Sequence, residues 1–520
     1  MKSFLPEIST AKSLTEEVEL SASKVAVGSI YLTLQNILST LIGVLGYAYL
    51  SRAITQEEMG VIAGITLLYS LIQTVVDLGI NSSIAKFVSE DIGKGLDHSM
   101  HVVSALTLRL PLALAAASSI AIFSQNLSEA LFKTTAYSNI LTLIAIDAIL
   151  LSISPLLNNV LLGCGKLKNI AVYGISSVAA RWLFITLFLL NGYGLTGVIY
   201  GWIIGDTALL IMLVISTLKR TNLKRSLLNE SVRLLPQMLR FSMPIYISTI
   251  ISFLYAWYDK ALILAFLPLE QLGIYNIAYT AFSVLMSIAA SLGSALLPYY
   301  GIAYGRNNHK AISEAIKRAS KYTMLIMFPL ALGLAATAKP VITLFAGQQY
   351  EAGWPVLATL ALFGLVYGFS PAFSNLLLIY GKTKTILLVN LTSVALSLTM
   401  LPTLRFLGLT GLATVRGASL LLSFTLSVYF LSKTIKIEID RQTAWKALAS
   451  TIIMTIAVLA TQKITYNKLF LPLYIAIGAT AYTATTRALK MLNKEDAQLV
   501  KEIFGEKTSK LITKIIVQQH

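Results

Sequence analysis

A chain of 520 residues that is 56% hydrophobic and 12% charged, with a mean hydropathy of +0.73, is too apolar for a soluble globule of its size. Its net charge of +17 would suggest nucleic acid in a soluble chain, but in a membrane chain it has another origin, so no nucleic-acid partner is expected. The single cysteine, Cys164, excludes an intrachain disulfide.

Residues 1–24 carry Glu7, Glu16, Glu17 and Glu19 and no apolar core. No cleavable signal peptide is expected there, and the first span serves as an uncleaved anchor. Apolar runs near the ~20 residues that cross a bilayer core then recur. They lie at 25–51, 59–85, 100–124, 137–163, 169–190, 194–218, 241–267, 273–303, 322–345, 354–380, 385–403, 409–432, 444–462 and 469–489. The fold class is an all-α polytopic membrane protein with about fourteen spans.

Sorted by alternating loops, with charges toward span ends counted to the adjoining loop, 31 Lys and Arg fall on the side of the N-terminus and 6 on the other, with 4 deeper inside spans. This is the positive-inside asymmetry, and it places both termini in the cytosol of a multi-pass cell-membrane protein. His98, His101, His309 and His520 all fall on that cytosolic side. His98 and His101 stand one turn apart, so they are either a metal-binding pair or, more plainly, two solvated loop histidines; no metal site is expected.

Residues 154–168, "SPLLNNVLLGCGKLK", and 370–384, "SPAFSNLLLIYGKTK", both carry Gly-Lys. A phosphate-binding loop needs a glycine five residues earlier, where Val160 and Leu376 stand, so the repetition itself has to be explained. The stretches match at an offset of 216, "GLTG" recurs at 194–197 and 408–411, and Glu57 and Gly60 recur as Glu270 and Gly273. The chain is written twice. It divides into a cytosolic N-terminal segment, 1–24; a six-helix lobe, 25–218; a basic cytosolic linker, 219–240; a second six-helix lobe, 241–432; two additional helices, 433–490; and a cytosolic amphipathic tail, 491–520. Six is even, so the repeats enter the membrane from the same face, an arrangement in which transporters place substrate between the halves. Gly-Lys is then a short turn after the fourth helix of each half. Pro155 and Pro371 lie ten residues before the turn glycines, about 15 Å into the bilayer. Asn159 and Asn375 stand four residues on, in reach of carbonyls that proline leaves unbonded. Either the pair are matched hinges or they are static kinks that shape a cavity.

Away from the span ends, eight charges fall inside spans: Asp77, Arg109, Asp147, Arg181, Asp206, Asp259, Lys260 and Arg416. Each costs about 2.5–3.5 kcal/mol at a helix centre, so none should face lipid. Asp77, Asp147 and Asp206 are expected in structural pairs, with ion coupling as the alternative for the buried acids, Asp259 included. Arg109, Arg181, Lys260 and Arg416 come two from each half at successive depths. They form either a ladder of cavity cations for an anion or scattered structural pairs, and the arginine fork suits phosphate. Trp257 and Tyr258 are expected in the interfacial belt.

Residues 51–87 contain Arg52-Ala53, Glu57 with Gly60, Asp77-Leu78-Gly79 and Lys86-Phe87. With "WYDKALILAFLPLEQLGIYNIA" at 257–278, this resembles the polysaccharide-transport family of oligosaccharide flippases. That family belongs to the multidrug/oligosaccharidyl-lipid/polysaccharide superfamily. The resemblance implies transport of a polyprenyl-phosphate- or pyrophosphate-linked oligosaccharide from cytosolic to outer leaflet by alternating access. Its implied partners are that glycolipid, membrane lipids and glycan-assembly enzymes, and it implies no cofactor. The rival within the superfamily is a cation-coupled multidrug antiporter using Asp77, Asp147 or Asp206. A polytopic glycosyltransferase would need an acid/base or metal constellation on a sizeable outer loop. The outer loops are short, no catalytic residues are found, and the protein is expected not to be an enzyme.

Overall fold

A computed structural model describes residues 5–221, 231–400, 402–491 and 496. The core of the linker, the tail beyond Met491 apart from Asp496, and His520 lie outside the described residues. Among those described, the regular structure is helical throughout. The first half contains α1 (Leu5–Ala53), α2 (Gln56–Asp77), α3 (Ile80–Gly93), α4 (Ser99–Ile122), α5 (Ser124–Phe132), α6 (Ser138–Gly163), α7 (Leu167–Leu190) and α8 (Gly194–Leu218). The second contains α9 (Leu235–Phe266), α10 (Leu269–Gly305), α11 (His309–Ala336), α12 (Ala338–Phe345), α13 (Trp354–Tyr367), α14 (Ser370–Ile379), α15 (Thr383–Thr399) and α16 (Thr403–Ser432). Two further helices, α17 (Arg441–Ile464) and α18 (Leu471–Ala488), follow.

Thirteen of the described helical segments are long and apolar enough to cross a membrane by length and composition. The remaining expected span, 385–403, is α15, whose 17 residues rise about 25 Å. Three expected spans are broken, and one of them, 322–345, divides at Thr337 between α11 and α12. Span 59–85 stops at Asp77, because Leu78 and Gly79 take left-handed φ of 48° and 73°, and α3 starts afresh at Ile80. Span 354–380 stops at Tyr367, and Pro371 sits at the start of α14. Pro155, its counterpart, lies inside the continuous α6. The second half has Gly368 just before its proline, where α6 has Ser152, and glycine weakens a helix by about 1 kcal/mol against alanine.

The duplication is visible in backbone geometry. After α6, Gly165 (φ 68°) donates to the Leu162 carbonyl and Lys166 to that of Leu161, both at 2.9 Å. After α14, Gly381 (φ 66°) donates to Leu378 at 3.0 Å and Lys382 to Leu377 at 2.9 Å. Each is a Schellman cap, which satisfies the last helix carbonyls through a left-handed glycine. The Gly-Lys motif is therefore a helix stop. "GLTG" likewise opens with left-handed glycines, Gly194 at φ 52° and Gly408 at φ 53°, the latter kinking α16. The acids at Glu57 and Glu58 open α2 as a capping box: Glu58 accepts the Thr55 N–H at 2.8 Å while the Thr55 hydroxyl accepts from the Glu58 N–H.

Contacts group the chain into two compact units, residues 1–54 with 64–253, and residues 55–63 with 254–520. In the first unit α7 packs on α1 and α8, and α6 on α3, α4 and α8. Its core gathers Ile84, Val88, Val102, Leu156, Val160 and Leu213. In the second, α13 lies against α11 and α16, α14 against α10, and the added pair α17–α18 docks on α11. The opening of α2 belongs to this second unit. A Cβ at Gly60 would stand 2.0 Å from the Leu269 carbonyl oxygen, and one at Gly273 would stand 2.1 Å from that of Gln56. The two repeat glycines let α2 and α10 cross at backbone contact.

Candidate functional site

Arg109 begins the first unit's polar interior. Its Nε donates to the Ser152 carbonyl at 2.7 Å, and Nη1 donates to the Val76 carbonyl at 2.7 Å and to Asp77 Oδ1 at 3.2 Å. The break after Asp77 leaves Val76 without its helical donor, and the guanidinium from α4 replaces it. Asp77 in turn accepts the Asn81 N–H at 3.2 Å, starting α3. Asp-Leu-Gly is thus a helix break clamped by a buried arginine, and the side chain of Arg109 is only 1% exposed. Of the two alternatives for this residue, a cavity cation or a structural pair, its burial and its spent donors favour the structural pair.

A second group lies among α2, α6, α7 and α8. The Tyr69 hydroxyl donates to Asp147 Oδ2 at 2.7 Å, and Arg181 Nη2 donates to Asp206 Oδ1. Asp147 and Asp206 are electrostatic neighbours, each held by a different donor. Two acids share one base, and one oxygen of each carboxyl, Asp147 Oδ1 and Asp206 Oδ2, is buried without a hydrogen-bond partner. Arg181 is 31% exposed, the only accessible member of the four expected cations.

The second unit reverses the ratio. Asp259 Oδ2 accepts from the Tyr275 hydroxyl at 2.7 Å and stands 3.9 Å from Arg416 Nε. Arg416 donates to the Tyr255 carbonyl and to the Tyr279 hydroxyl, the latter at 3.3 Å, with its guanidinium over the rings of Tyr255, Tyr258 and Tyr279. Lys260 Nζ reaches Asn276 Oδ1 at 2.9 Å and lies 4.8 Å from the Trp257 ring centre. Asp259 and Lys260 therefore point to different partners, as their 100° separation on a helix requires. Tyr258 is 8% exposed inside this group, not in an interfacial belt. Beside it lies a cavity of about 340 Å³ lined by Tyr255, Tyr367, Ser370, Ser374, Asn375 and Asn390 among others, with no ionisable carboxylate or base in its wall. The hydroxyls of Tyr255 and Ser370 are buried there without partners.

The hinge asparagines part company. Asn159 Nδ2 donates to the carbonyl of Pro155 itself at 2.9 Å, whereas Asn375 Nδ2 donates across to Gly293 on α10 at 2.9 Å. Neither serves the carbonyl that its proline leaves unbonded, four residues earlier. His101 and His98 also diverge. His101 Nδ1 meets Asp91 at 2.6 Å and its ring stacks on Phe87, while His98 Nε2 lies 3.9 Å from Cys164 Sγ. They are anchored rather than solvated, and no group of three or more metal-ligating side chains occurs among the described residues. Tyr69, Tyr275, Tyr279 and Asn276 complete the two clusters; Tyr275 is among the residues that carry the resemblance at 257–278, while the other three had no signal in the sequence beyond being polar-tipped residues in apolar spans.

An all-α bundle of about fourteen spans, built as two six-helix repeats plus two helices with charges clustered in the spans, defines a multi-pass membrane transporter. The chain belongs to the polysaccharide biosynthesis protein family, whose model matches residues 49–355. It is 24% identical over 469 residues to the probable low-salt glycan biosynthesis flippase Agl15 of Haloferax volcanii, covering 88% of this chain and 94% of that relative. Its fold is that of the lipid II flippase MurJ in an inward closed conformation, with a TM-score of 0.73 at 15% identity over 92% of this chain and 100% of that one. An inward-facing multidrug resistance MATE family transporter of the MOP superfamily matches with a TM-score of 0.59 at 16% identity, over 78% of this chain and 99% of that one. The family match and the near full-length likeness to a glycan-biosynthesis flippase bear out the polysaccharide-transport resemblance that the motifs at 51–87 and 257–278 carried, and the solved structures show the fold.

Proposed function

We propose that the protein is a flippase that carries a polyprenyl-phosphate- or pyrophosphate-linked oligosaccharide from the cytosolic to the outer leaflet for cell-surface glycan assembly. Alternating access between the two six-helix lobes moves the sugar and phosphate while the lipid tail stays in the bilayer, and both termini are cytosolic. The observation that carries this reading is the near full-length alignment with a glycan-biosynthesis flippase. Two features of the site support it. Arg181 is an accessible guanidinium at the middle of α7, suited to forked hydrogen bonding with phosphate. The uncharged, hydroxyl- and amide-lined cavity in the second unit offers donors and acceptors to a sugar. The drug-antiporter alternative is supported by fold likeness alone.

The test is leaflet exchange of a fluorescent prenyl-pyrophosphate oligosaccharide in proteoliposomes. Wild type should exchange it. Folded Arg181→Ala should do so about 10- to 100-fold more slowly, the worth of a charged hydrogen bond. Exchange untouched by the substitution would remove Arg181 from the cargo path, and no exchange by wild type would sink the flippase reading.

A further inference from the structure

Asp147 on α6 and Asp206 on α8 are 0% and 3% exposed, yet a single base, Arg181, stands against them, paired with Asp206 and acting on Asp147 through its charge. The titratable and charged groups around them are Tyr69 of α2, Arg181 of α7 and each other, with Tyr47 of α1 beyond Arg181. Arg109 of α4 is committed to Asp77. Tyr69 gives its one proton to Asp147 Oδ2 at 2.7 Å, and Arg181 turns to Asp206 Oδ1. That leaves Asp147 Oδ1 and Asp206 Oδ2, two buried acceptors with no donor. With both acids ionised the cluster carries an uncompensated negative charge in an apolar surround, which strongly favours uptake of one positive charge. A proton on one of the two carboxyls turns a bare oxygen into a donor and neutralises the cluster.

We propose that Asp147 and Asp206 share one exchangeable proton, and that holding it frees Arg181 to bind the anionic group of the cargo. The proton comes from water and returns to it, with the 31%-exposed Arg181 side chain marking the open side of the cluster. With the proton bound, the carboxyl pair holds Arg181 with one negative charge; without it, two negative charges hold the guanidinium back. Proton and anion therefore bind cooperatively, each raising the affinity of the other by the same factor. The second half of the proposal rests on the flippase reading; the first does not.

The proton is read directly by infrared spectroscopy of the full-length protein in lipid without cargo, through the C=O stretch of a protonated carboxyl at neutral pH. Wild type should show a band that shifts in D₂O and disappears in both Asp147→Asn and Asp206→Asn, while Asp259→Asn keeps it. Titration of the wild-type band with pH needs no variant and gives the midpoint of proton release. No band, or one that survives both Asn variants, overturns the site. Loss of the band on adding Na⁺ at constant pH overturns it too, since a metal ion would then be the resident cation. The link to Arg181 is tested by binding of a prenyl pyrophosphate. Above the band's midpoint its affinity should fall about tenfold per pH unit in wild type. The profile should be flat in Asp147→Asn. A flat wild-type profile overturns the coupling. No binding at any pH with the band intact leaves the proton site standing and counts against the cargo assignment alone.

Discussion

The two units bury the same chemistry in opposite proportions. In the first, two acids, Asp147 and Asp206, accompany one base, Arg181; in the second, two bases, Arg416 against Asp259 and Lys260 against Asn276, accompany one acid. Each unit also donates a tyrosine hydroxyl to an aspartate at 2.7 Å, Tyr69 to Asp147 and Tyr275 to Asp259. The means of tolerating the surplus differ. The second unit's extra positive charge rests against tyrosine and tryptophan faces, whose quadrupoles attract cations. The first unit's two acids have no such cushion, and each keeps one bare oxygen instead. A surplus cation can be held permanently by aromatic rings, whereas a surplus carboxylate is held best by a removable proton. That contrast assigns a static role to the second cluster and an exchangeable one to the first.

The largest effect is expected outside both surplus clusters, at the balanced pair. Arg109→Ala strands the Val76 carbonyl and Asp77 in the interior and should destabilise the protein by about 3–5 kcal/mol, read as a fall in unfolding temperature in detergent. Arg109→Lys should rescue little, because an ammonium lacks the fork that reaches Ser152, Val76 and Asp77 together. Next come the two surplus clusters, where neutralising an acid should have unequal consequences. Asp259→Asn leaves two buried bases without a carboxylate and should cost about 2 kcal/mol. Asp206→Asn leaves Arg181 and Asp147 as a balanced pair and should change stability by less than about 1 kcal/mol. Equal losses in the two variants would show that charge count is not what separates the clusters.

The positions of the spans were legible because crossing a bilayer imposes length and apolarity on a helix, both written in the sequence itself. The breaks were not. Hydropathy averaged over a window is blind to φ, so the stop at Leu78-Gly79 lay hidden inside an apolar run although Asp-Leu-Gly was in plain view. What makes that stop affordable is Arg109, 32 residues away, and nothing in the local sequence announces such a contact. Pro155 and Pro371 show the same limit from the other side. One repeated proline lies within a continuous helix and the other begins a new one, and the neighbouring Gly368 was the available cue. Charge positions were likewise readable, but partners were not. Tyr69 meets Asp147 across 78 residues, and Arg416 meets Tyr255 across 161. The cations offered as a ladder were read as equivalent because the sequence gives their depth and not their exposure.

Where the two halves are most alike, the expected effect is smallest. A Cβ added at Gly165 or at Gly381 meets no heavy atom within 4 Å, so substitution there carries no packing penalty. What remains is backbone: φ of 68° and 66° are left-handed values that L-residues with a Cβ adopt at a cost. Gly165→Ala and Gly381→Ala should therefore each destabilise by about 1 kcal/mol, with asparagine milder at both sites. The lysine after each glycine keeps its hydrogen bond to the third carbonyl from the helix end in both turns, at 2.9 Å, so the penalties should agree closely. The measurement is the unfolding-temperature shift of each single variant and of the double variant, which should be additive because the turns end different helices in different units. A clear inequality would mean that the repeat has kept the shape of its turn while changing what the turn supports.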